Sequence, residues 1–196
     1  MVDKVYAPGA QYTVQRRVAG YHDMRLDGIT DLLNRTGGCK VFDIGCNRGM
    51  VGYEFAKNGA RLVHGCDIYE KGIETAREVF ADLRCVEHRF EVADLTRGRA
   101  ALNTFNGMVY DITLCLATYH KLKRVMPKPD LSALMKHFGA WTVGYFGWRG
   151  TSEQHNENDA EMAQLDKDLG ETGLVRIHTS YISAELGVAA IWARGG

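Results

Sequence analysis

Short apolar runs alternate with amphipathic stretches along most of the chain, which is typical of strands that alternate with helices. Leu26, Ile29 and Leu32 recur at helical spacing, so we expect a helix over 25–33. Further helices are predicted over 50–57 and 72–80, over a stretch that begins at a capping Asp130, and over 158–169. Five buried strands are predicted from the segments CKVFDI, ARLVHGCD, CVEHRFEVAD, YDITLCLATY and AWTVGYFGW.

Two more apolar segments, LVRIHTSYI and GVAAIWAR, end the chain as predicted strands. Only residues 183–187 join them, too few for a helical crossover, so the pair should be antiparallel and lie at one edge of the sheet. The whole pattern predicts an α/β fold with a mostly parallel, seven-stranded sheet between two layers of helices. We expect one domain over 1–196, with 1–24 as an N-terminal extension or lid.

Composition excludes several classes of protein. The 196 residues are 45% hydrophobic and include three prolines, which argues against a disordered or fibrous chain. No run approaches the roughly 18 to 20 apolar residues that a membrane span needs. The five cysteines form no CxxC pair and lie in or beside predicted strands, as reduced core thiols do. A cytoplasmic location is the expectation.

Charge is balanced overall and uneven locally. The 24 basic and 24 acidic residues give a formal net charge of zero, unlike a protein that holds nucleic acid by charge. The segment 112–152 contains six basic residues and a single acid, Asp130. The segment 153–171, which follows it, contains seven acids. Solvated faces and a functional basic patch both fit this pattern.

The stretch FDIGCNRGM, residues Phe42 to Met50, joins the first strand to a helix. Gly45 permits a sharp turn, and Gly49 lets the helix begin close to a ligand. The spacing fails the dinucleotide fingerprint GxGxxG, because Asn47 and Met50 stand at its second and third glycine positions. An acid, Asp67, ends the next strand.

Four segments in this order, VFDIGCNRG, HGCDIYEKGIETAR, EVAD and LCLATYH, resemble the class I S-adenosylmethionine-dependent methyltransferases. The resemblance runs from about Arg25 to the C-terminus and includes the antiparallel final strand pair. It implies a Rossmann-like, three-layer fold and S-adenosyl-L-methionine as the cofactor.

The resemblance also implies a role for each matching position. Asp43 and the backbone from Gly45 through Cys46 and Asn47 to Gly49 would hold the methionine half of the cofactor. Asp67 would accept hydrogen bonds from both ribose hydroxyls, since a carboxylate offers two oxygens. The remaining contacts would be Ile68 on the adenine, Asp94 and Leu95 at the adenine amino group, and Leu116 with Ala117 under the sulfonium.

Asn47 departs from the family pattern, in which many members have glycine. Among the other residues, Asn best tolerates a left-handed backbone, so the turn can survive. Its side chain is a candidate for an added hydrogen bond to the cofactor.

Other candidates lie outside the motif. His120, just past the fourth strand, is a candidate general base, with capping or pocket lining as the alternative. Tyr119 and Trp148 are candidate substrate contacts; capping or pocket lining is the alternative for Tyr119. Tyr145, near Trp148, could stack on a flat substrate or pack in the core. Arg25 could pair with the cofactor carboxylate, or lie on the solvated surface.

Absent motifs narrow the chemistry. The Asn-Pro-Pro-Tyr and Asp-Pro-Pro-Tyr signatures of base-amine methylation are missing, and no carboxylate follows LATYH to hold a divalent metal. We expect metal-independent transfer to oxygen or nitrogen of a small or medium substrate. An anionic, nucleotide or RNA acceptor stays open, as does a cofactor-binding regulator or partner subunit without activity. A nicotinamide-binding domain is the third hypothesis.

Overall fold

A computed structural model describes residues 24–151, 155–183 and 187–195. The predicted N-terminal extension therefore lies outside the described residues, apart from Met24. A seven-stranded sheet runs through the molecule. Its strands are β1 (Lys40–Ile44), β2 (Leu62–Asp67), β3 (Glu87–Val92), β4 (Tyr110–Leu116), β5 (Thr142–Arg149), β6 (Leu174–Ser183) and β7 (Gly187–Arg194).

The strands are arranged in the order β3-β2-β1-β4-β5-β7-β6. Strands β1 to β5 pair in parallel, whereas β7 runs antiparallel to both β5 and β6. The predicted fold class is thus confirmed, including the antiparallel C-terminal pair. Strand order reverses between β1 and β4, and parallel sheets of this kind bind ligands beyond the carboxyl ends of the strands at such a reversal.

Helices connect the strands. They are α1 (Asp31–Asn34), α2 (Met50–Lys57), α3 (Glu70–Phe80), α4 (Tyr119–Val125), α5 (Lys128–Trp141) and α6 (His155–Gly170). Two 3₁₀ segments, Met24–Leu26 and Leu95–Phe105, complete the described elements. The segment Leu95–Phe105 was not expected from the sequence, and Gly98 interrupts it with a left-handed backbone.

Two hydrophobic cores lie on opposite faces of the sheet. Val41 belongs to the core under α1, α2 and α3, whereas its neighbour Phe42 belongs to the core under α4, α5 and α6. This alternation follows from the period of two in a strand. It makes the molecule a three-layer sandwich, as the strand-and-helix pattern predicts.

The first predicted helix, over 25–33, is broken in the structure. Its apolar positions Leu26, Ile29 and Leu32 are all buried, so the spacing correctly marked the inward face. The chain turns at Gly28, whose φ of 78° lies in the left-handed region. A Cβ at Gly28 would approach the Cβ of Ala189 to 2.7 Å, so this close crossing over β7 requires glycine and interrupts the helix.

Strand β4 ends three residues earlier than expected, at Leu116, and α4 begins at Tyr119. Ala117 has a φ of 53°, which turns the chain out of the sheet. The Thr118 hydroxyl lies 3.2 Å from the carbonyl oxygen of Ile44 and donates to it, which fixes the turn against β1. This junction decides where the side chains after β4 point.

The sequence predicted that Asp130 caps its helix, and this prediction is wrong. Helix α5 begins at Lys128, Pro127 is its N-cap, and Asp130 lies in the first turn. A proline in the first turn has no N–H to leave unsatisfied, which explains the earlier start. The basic and acidic segments meet in part, because Lys123 pairs with Glu157 and Glu161 and Lys136 pairs with Glu171.

Candidate active site

A cavity of about 420 Å³ opens beyond the carboxyl ends of β1 to β5, on both sides of the strand reversal. This volume lies in the range of small-molecule pockets, roughly 300–1,000 Å³. Its lining includes ten of the predicted cofactor residues: Arg25, Asp43, Gly45, Cys46, Asn47, Asp67, Ile68, Asp94, Leu95 and Leu116. Ala117 lines it as well.

The turn that follows β1 forms the floor of the cavity. Gly45, Asn47 and Gly49 have φ values of 71°, 49° and 70°, so the left-handed backbone expected of Asn47 is confirmed. The N–H groups of Gly45 and Cys46 donate to the Cys66 carbonyl oxygen at 2.8 and 3.0 Å. Gly49 caps α2 and is not part of the lining.

Asp43 is almost fully buried at the end of β1. The pKa of its carboxyl group is raised to about 7, mainly by burial and in smaller part by the nearby Asp67 carboxylate. The Arg25 guanidinium and the Gly52 backbone N–H oppose this shift. Asp43 is thus a carboxyl group whose charge changes near neutral pH, and a cationic ligand would favour its ionised form.

Asp67 is held by two backbone amides. The N–H of Asn47 donates to its Oδ2 at 2.8 Å, and the N–H of Tyr69 donates to its Oδ1 at 2.9 Å. Each carboxylate oxygen has two acceptor sites, so each keeps one for a ligand hydroxyl. The arrangement fits recognition of a vicinal diol.

Asp94 follows β3 and shapes the start of the next segment. Its Oδ1 accepts hydrogen bonds from the Thr96 N–H at 3.0 Å and the Thr96 hydroxyl at 2.6 Å. These bonds lower the pKa of the Asp94 carboxyl group, so it is ionised at neutral pH. Its Oδ2 takes part in neither bond and can accept from a ligand amino group.

Apolar side chains cover the cavity between these acids. Ile68 is 66% exposed although it is a large aliphatic residue, and Leu95 lies close by in the lining. Val125, at the end of α4, is also 66% exposed and lines the cavity. Exposed aliphatic surface beside polar acceptors is typical of a site for a flat, partly apolar ligand.

Basic side chains line the opposite end. Lys121, on α4, and Arg149, at the end of β5, both lie in the lining. Both belong to the basic stretch between 112 and 152, although neither was predicted as an individual site residue. Lys121 directly follows His120 in the segment LATYHKL, so its place just after the fourth strand was the sequence feature that could have predicted it as a site residue. Arg149 pairs with Leu116 across the sheet, which brings it to the β4 end of the cavity.

Three predicted residues lie elsewhere. Trp148 is fully buried in the core under α4 to α6, so the prediction that it stacks on a substrate is wrong. Tyr119 and His120 form the first turn of α4, are buried, and are outside the lining. Because β4 ends at Leu116, this helical turn carries both rings away from the cavity mouth where the sequence placed them.

The sequence model of a methyltransferase domain family matches residues 41–140, about half of the chain. The chain belongs to the class I S-adenosylmethionine-dependent methyltransferases. A ubiquinone biosynthesis O-methyltransferase from Neisseria meningitidis is 38% identical over 52 residues, which are 26% of this chain and 20% of that protein. The matching part of the chain thus spans about a fifth of the length of this curated relative.

Solved methyltransferase structures share the fold. Magnesium protoporphyrin IX methyltransferase from Synechocystis, solved with bound S-adenosylmethionine, is 22% identical, with a TM-score of 0.64 over 99% of this chain and 96% of that one. The 1,6-didemethyltoxoflavin-N1-methyltransferase from Burkholderia thailandensis is 14% identical, with a TM-score of 0.65 over 99% of this chain and 86% of that one. At these identities the likeness concerns the fold.

No helix in the described ranges is long and apolar enough to cross a membrane. Those same ranges hold no group of three or more His, Cys, Asp or Glu side chains placed to bind a metal ion. Metal independence and the cytoplasmic location stay predictions.

We expect the free energy of unfolding to fall as the pH rises from about 4 to about 7. Between these values the folded protein keeps a proton on Asp43 that the unfolded chain, with an ordinary pKa of 3.8, has lost. Asp43→Asn should remove this part of the slope and stabilise the protein at pH 8 by up to about 4 kcal/mol. Urea unfolding at pH 5 and pH 8 measures it. The exposed Glu74→Gln serves as the control, and an unchanged slope in Asp43→Asn would contradict the assignment.

The left-handed backbone at Asn47 predicts a difference in stability between two variants of this residue. Asn47→Gly should preserve the stability of the protein, whereas Asn47→Ala should lower it by about 1 kcal/mol, because a left-handed alanine lacks the local hydrogen bonding of asparagine. Urea unfolding of the two variants at one pH makes the comparison. Equal stability of the two would show that the turn does not impose this backbone.

Proposed function

We propose that this protein transfers a methyl group from S-adenosylmethionine to an oxygen or nitrogen atom of a small or medium, anionic substrate. One observation carries the proposal. Three consecutive strands, β1, β2 and β3, each deliver one aspartate to a single cavity: Asp43, Asp67 and Asp94. Three carboxylates in one cavity suit an amino-acid-bearing nucleoside, whose amino groups and ribose hydroxyls donate hydrogen bonds. A dinucleotide fingerprint is absent from the turn.

Different residues would bind different parts of the cofactor. Asp67 would accept from the ribose hydroxyls, Asp94 Oδ2 from the adenine amino group, and Ile68 and Leu95 would cover the base. Asp43 and Arg25 would face the amino and carboxylate groups of the methionine half. Cys46, Asn47 and Leu116 would complete the contact, while Gly49 would act through the shape of the turn.

Cofactor binding would hold the methyl group at the β4 end of the cavity. The sulfonium makes that methyl carbon electrophilic, so the hard chemistry belongs to the cofactor. The protein would supply alignment, which can contribute several kcal/mol. Ala117, strained into the left-handed region, and Thr118, anchored to β1, would fix this end of the cavity.

The basic end supports an anionic acceptor. Lys121 and Arg149 line the cavity beyond β4 and β5. Among the described residues, none of the acidic side chains in the lining comes from the segments that follow these two strands. A carboxylate or phosphate on the acceptor would pair with them and orient the nucleophile. The RNA alternative has less support, since Lys123 and Lys136 of the basic segment are paired with acids of α6 and of the turn after it.

The proposed methyl transfer assigns no role to His120, because this residue is buried in the first turn of α4 and does not line the cavity. One measurement still tests the sequence-based prediction that His120 is a general base. A positioned base contributes roughly 10²- to 10⁴-fold to a rate. A fall of that size in the transfer rate of His120→Gln, with an unchanged fold, would support His120 as the base.

Asp94→Asn offers a specific test of the cofactor assignment. The amide oxygen can keep both bonds from Thr96, while the free acceptor Oδ2 becomes an NH₂ donor. We expect S-adenosylhomocysteine to bind about 10-fold more weakly, because two amino groups then face each other. The inosine analogue, which has an acceptor oxygen at that position, should bind the variant better than the wild type in calorimetry. An unchanged preference would place the adenine elsewhere.

Acceptor charge is tested by transfer of a labelled methyl group to pairs of phenols and amines matched in size, one member a carboxylate and the other its carboxamide. We expect the carboxylates to be preferred, and Lys121→Gln to lower kcat/KM for them about 10-fold with little change for the carboxamides. The exposed Lys71→Gln is the matched control. A preference for the carboxamides would overturn the anionic class. Cofactor binding without transfer to any member would favour the regulator hypothesis.

A further inference from the structure

A second cavity, of about 340 Å³, lies between α4, α5 and α6. Helix α4 separates it from the active-site cavity. Tyr119 and Lys123 line the second cavity, whereas Lys121 and Leu122 of the same helix line the first. Nothing in the proposed methyl transfer uses this space.

Glu161 is the unusual residue of this lining, because only 2% of it is exposed. Its Oε1 accepts a long hydrogen bond of 3.4 Å from the Lys123 ammonium group. Its Oε2 is buried and has no hydrogen-bond partner among the described residues. A buried acceptor without a donor is destabilising, so such an atom calls for a bound partner.

Lys123 does not neutralise Glu161 by itself. The same ammonium group pairs with Glu157, so one cation serves two carboxylates. Burial raises the pKa of Glu161 and the Glu157 carboxylate adds to the shift, although Lys123 and Arg124 oppose it. An additional cation in the cavity would stabilise the ionised carboxylate.

The polar groups beside Glu161 also present acceptors. The Ser132 hydroxyl and the Gln164 amide NH₂ both donate to Oδ1 of Asp168, at 2.6 and 3.0 Å. Asp168 is fully buried, and its Oδ2 has no partner among the described residues. Because these two donors are directed to Asp168, Ser132 and Gln164 have oxygen acceptors left for the cavity they line.

The rest of the lining is apolar or donates at the edge. Met126 and Leu131 supply buried hydrophobic surface. The exposed Lys128 is the second basic residue of the lining. A ligand that donates several hydrogen bonds to the Glu161 end and carries a short apolar body would suit this lining.

We propose that this cavity is a second ligand site, which binds a small primary alkylammonium compound. The ammonium group, with three donors, would reach Glu161, Ser132 and Gln164, and the alkyl chain would pack on Met126 and Leu131. The site is independent of the proposed methyl transfer, so its test uses the cofactor-free protein and measures binding alone.

The probe is n-butylammonium, with n-butanol as its neutral counterpart, titrated at constant ionic strength and followed by protein NMR or calorimetry. We expect saturable binding of butylammonium and at least about 10-fold weaker binding of butanol, since a charged hydrogen-bonded contact is worth roughly 1.5–3 kcal/mol. Absence of saturable butylammonium binding, or equal binding of butanol, would overturn the proposal.

Two variants separate the cavity from the surrounding surface charge. Glu161→Gln removes the buried charge with little change of shape and should weaken butylammonium binding about 10-fold. Glu157→Gln removes the other partner of Lys123, is outside the lining, and should leave binding within about 2-fold. Equal losses in the two variants would mean that the probe binds the acidic surface, and would contradict the site. The wild-type comparison with butanol decides the proposal if Glu161→Gln fails to fold.

Discussion

The chain has to leave β1 through a turn with three left-handed residues, Gly45, Asn47 and Gly49, and the active-site cavity depends on that turn. Its amides bind the carbonyl oxygen of Cys66 and the carboxylate of Asp67, which ties the end of β1 to the end of β2. The same turn directs α2 back over the sheet, so that the Gly52 N–H reaches Asp43. Backbone groups thus orient both carboxylates before any ligand is present.

Charge is divided along the cavity. The carboxylates come from β1, β2 and the residue after β3, on one side of the strand reversal, whereas Lys121 and Arg149 come from α4 and β5 on the other. A cationic, amino-acid-bearing nucleoside suits the first side, and an anionic acceptor suits the second. In the proposed function, the strand order would thus place cofactor recognition at one end and acceptor selection at the other.

Local patterns predicted the parts of the site that local backbone determines. Asp43, Asp67 and Asp94 each end or follow a strand, and parallel strands bring their carboxyl ends together, so the sequence alone placed them correctly. The left-handed Asn47 was also predictable, because asparagine tolerates that region. Strand alternation and the short final connection were sufficient for the fold class.

Residues whose position depends on tertiary turns were not predictable. Ala117 ends β4 early, and this one left-handed residue moves Tyr119 and His120 into a helix and away from the cavity. Trp148 lies at the end of a strand, as expected, but the helices over that face bury it completely. The second cavity needed the packing of α6 against α4 and α5, since the sequence showed Glu161 only as one acid among seven.

A crystal structure with S-adenosylhomocysteine would show directly how this cavity holds the cofactor. We expect ribose hydroxyls within hydrogen-bond distance of both Asp67 oxygens, the adenine between Ile68 and Leu95 with its amino group at Asp94 Oδ2, and the sulfur beside Leu116. A ligand bound outside this cavity, or one whose ribose leaves Asp67 without a contact, would contradict this arrangement.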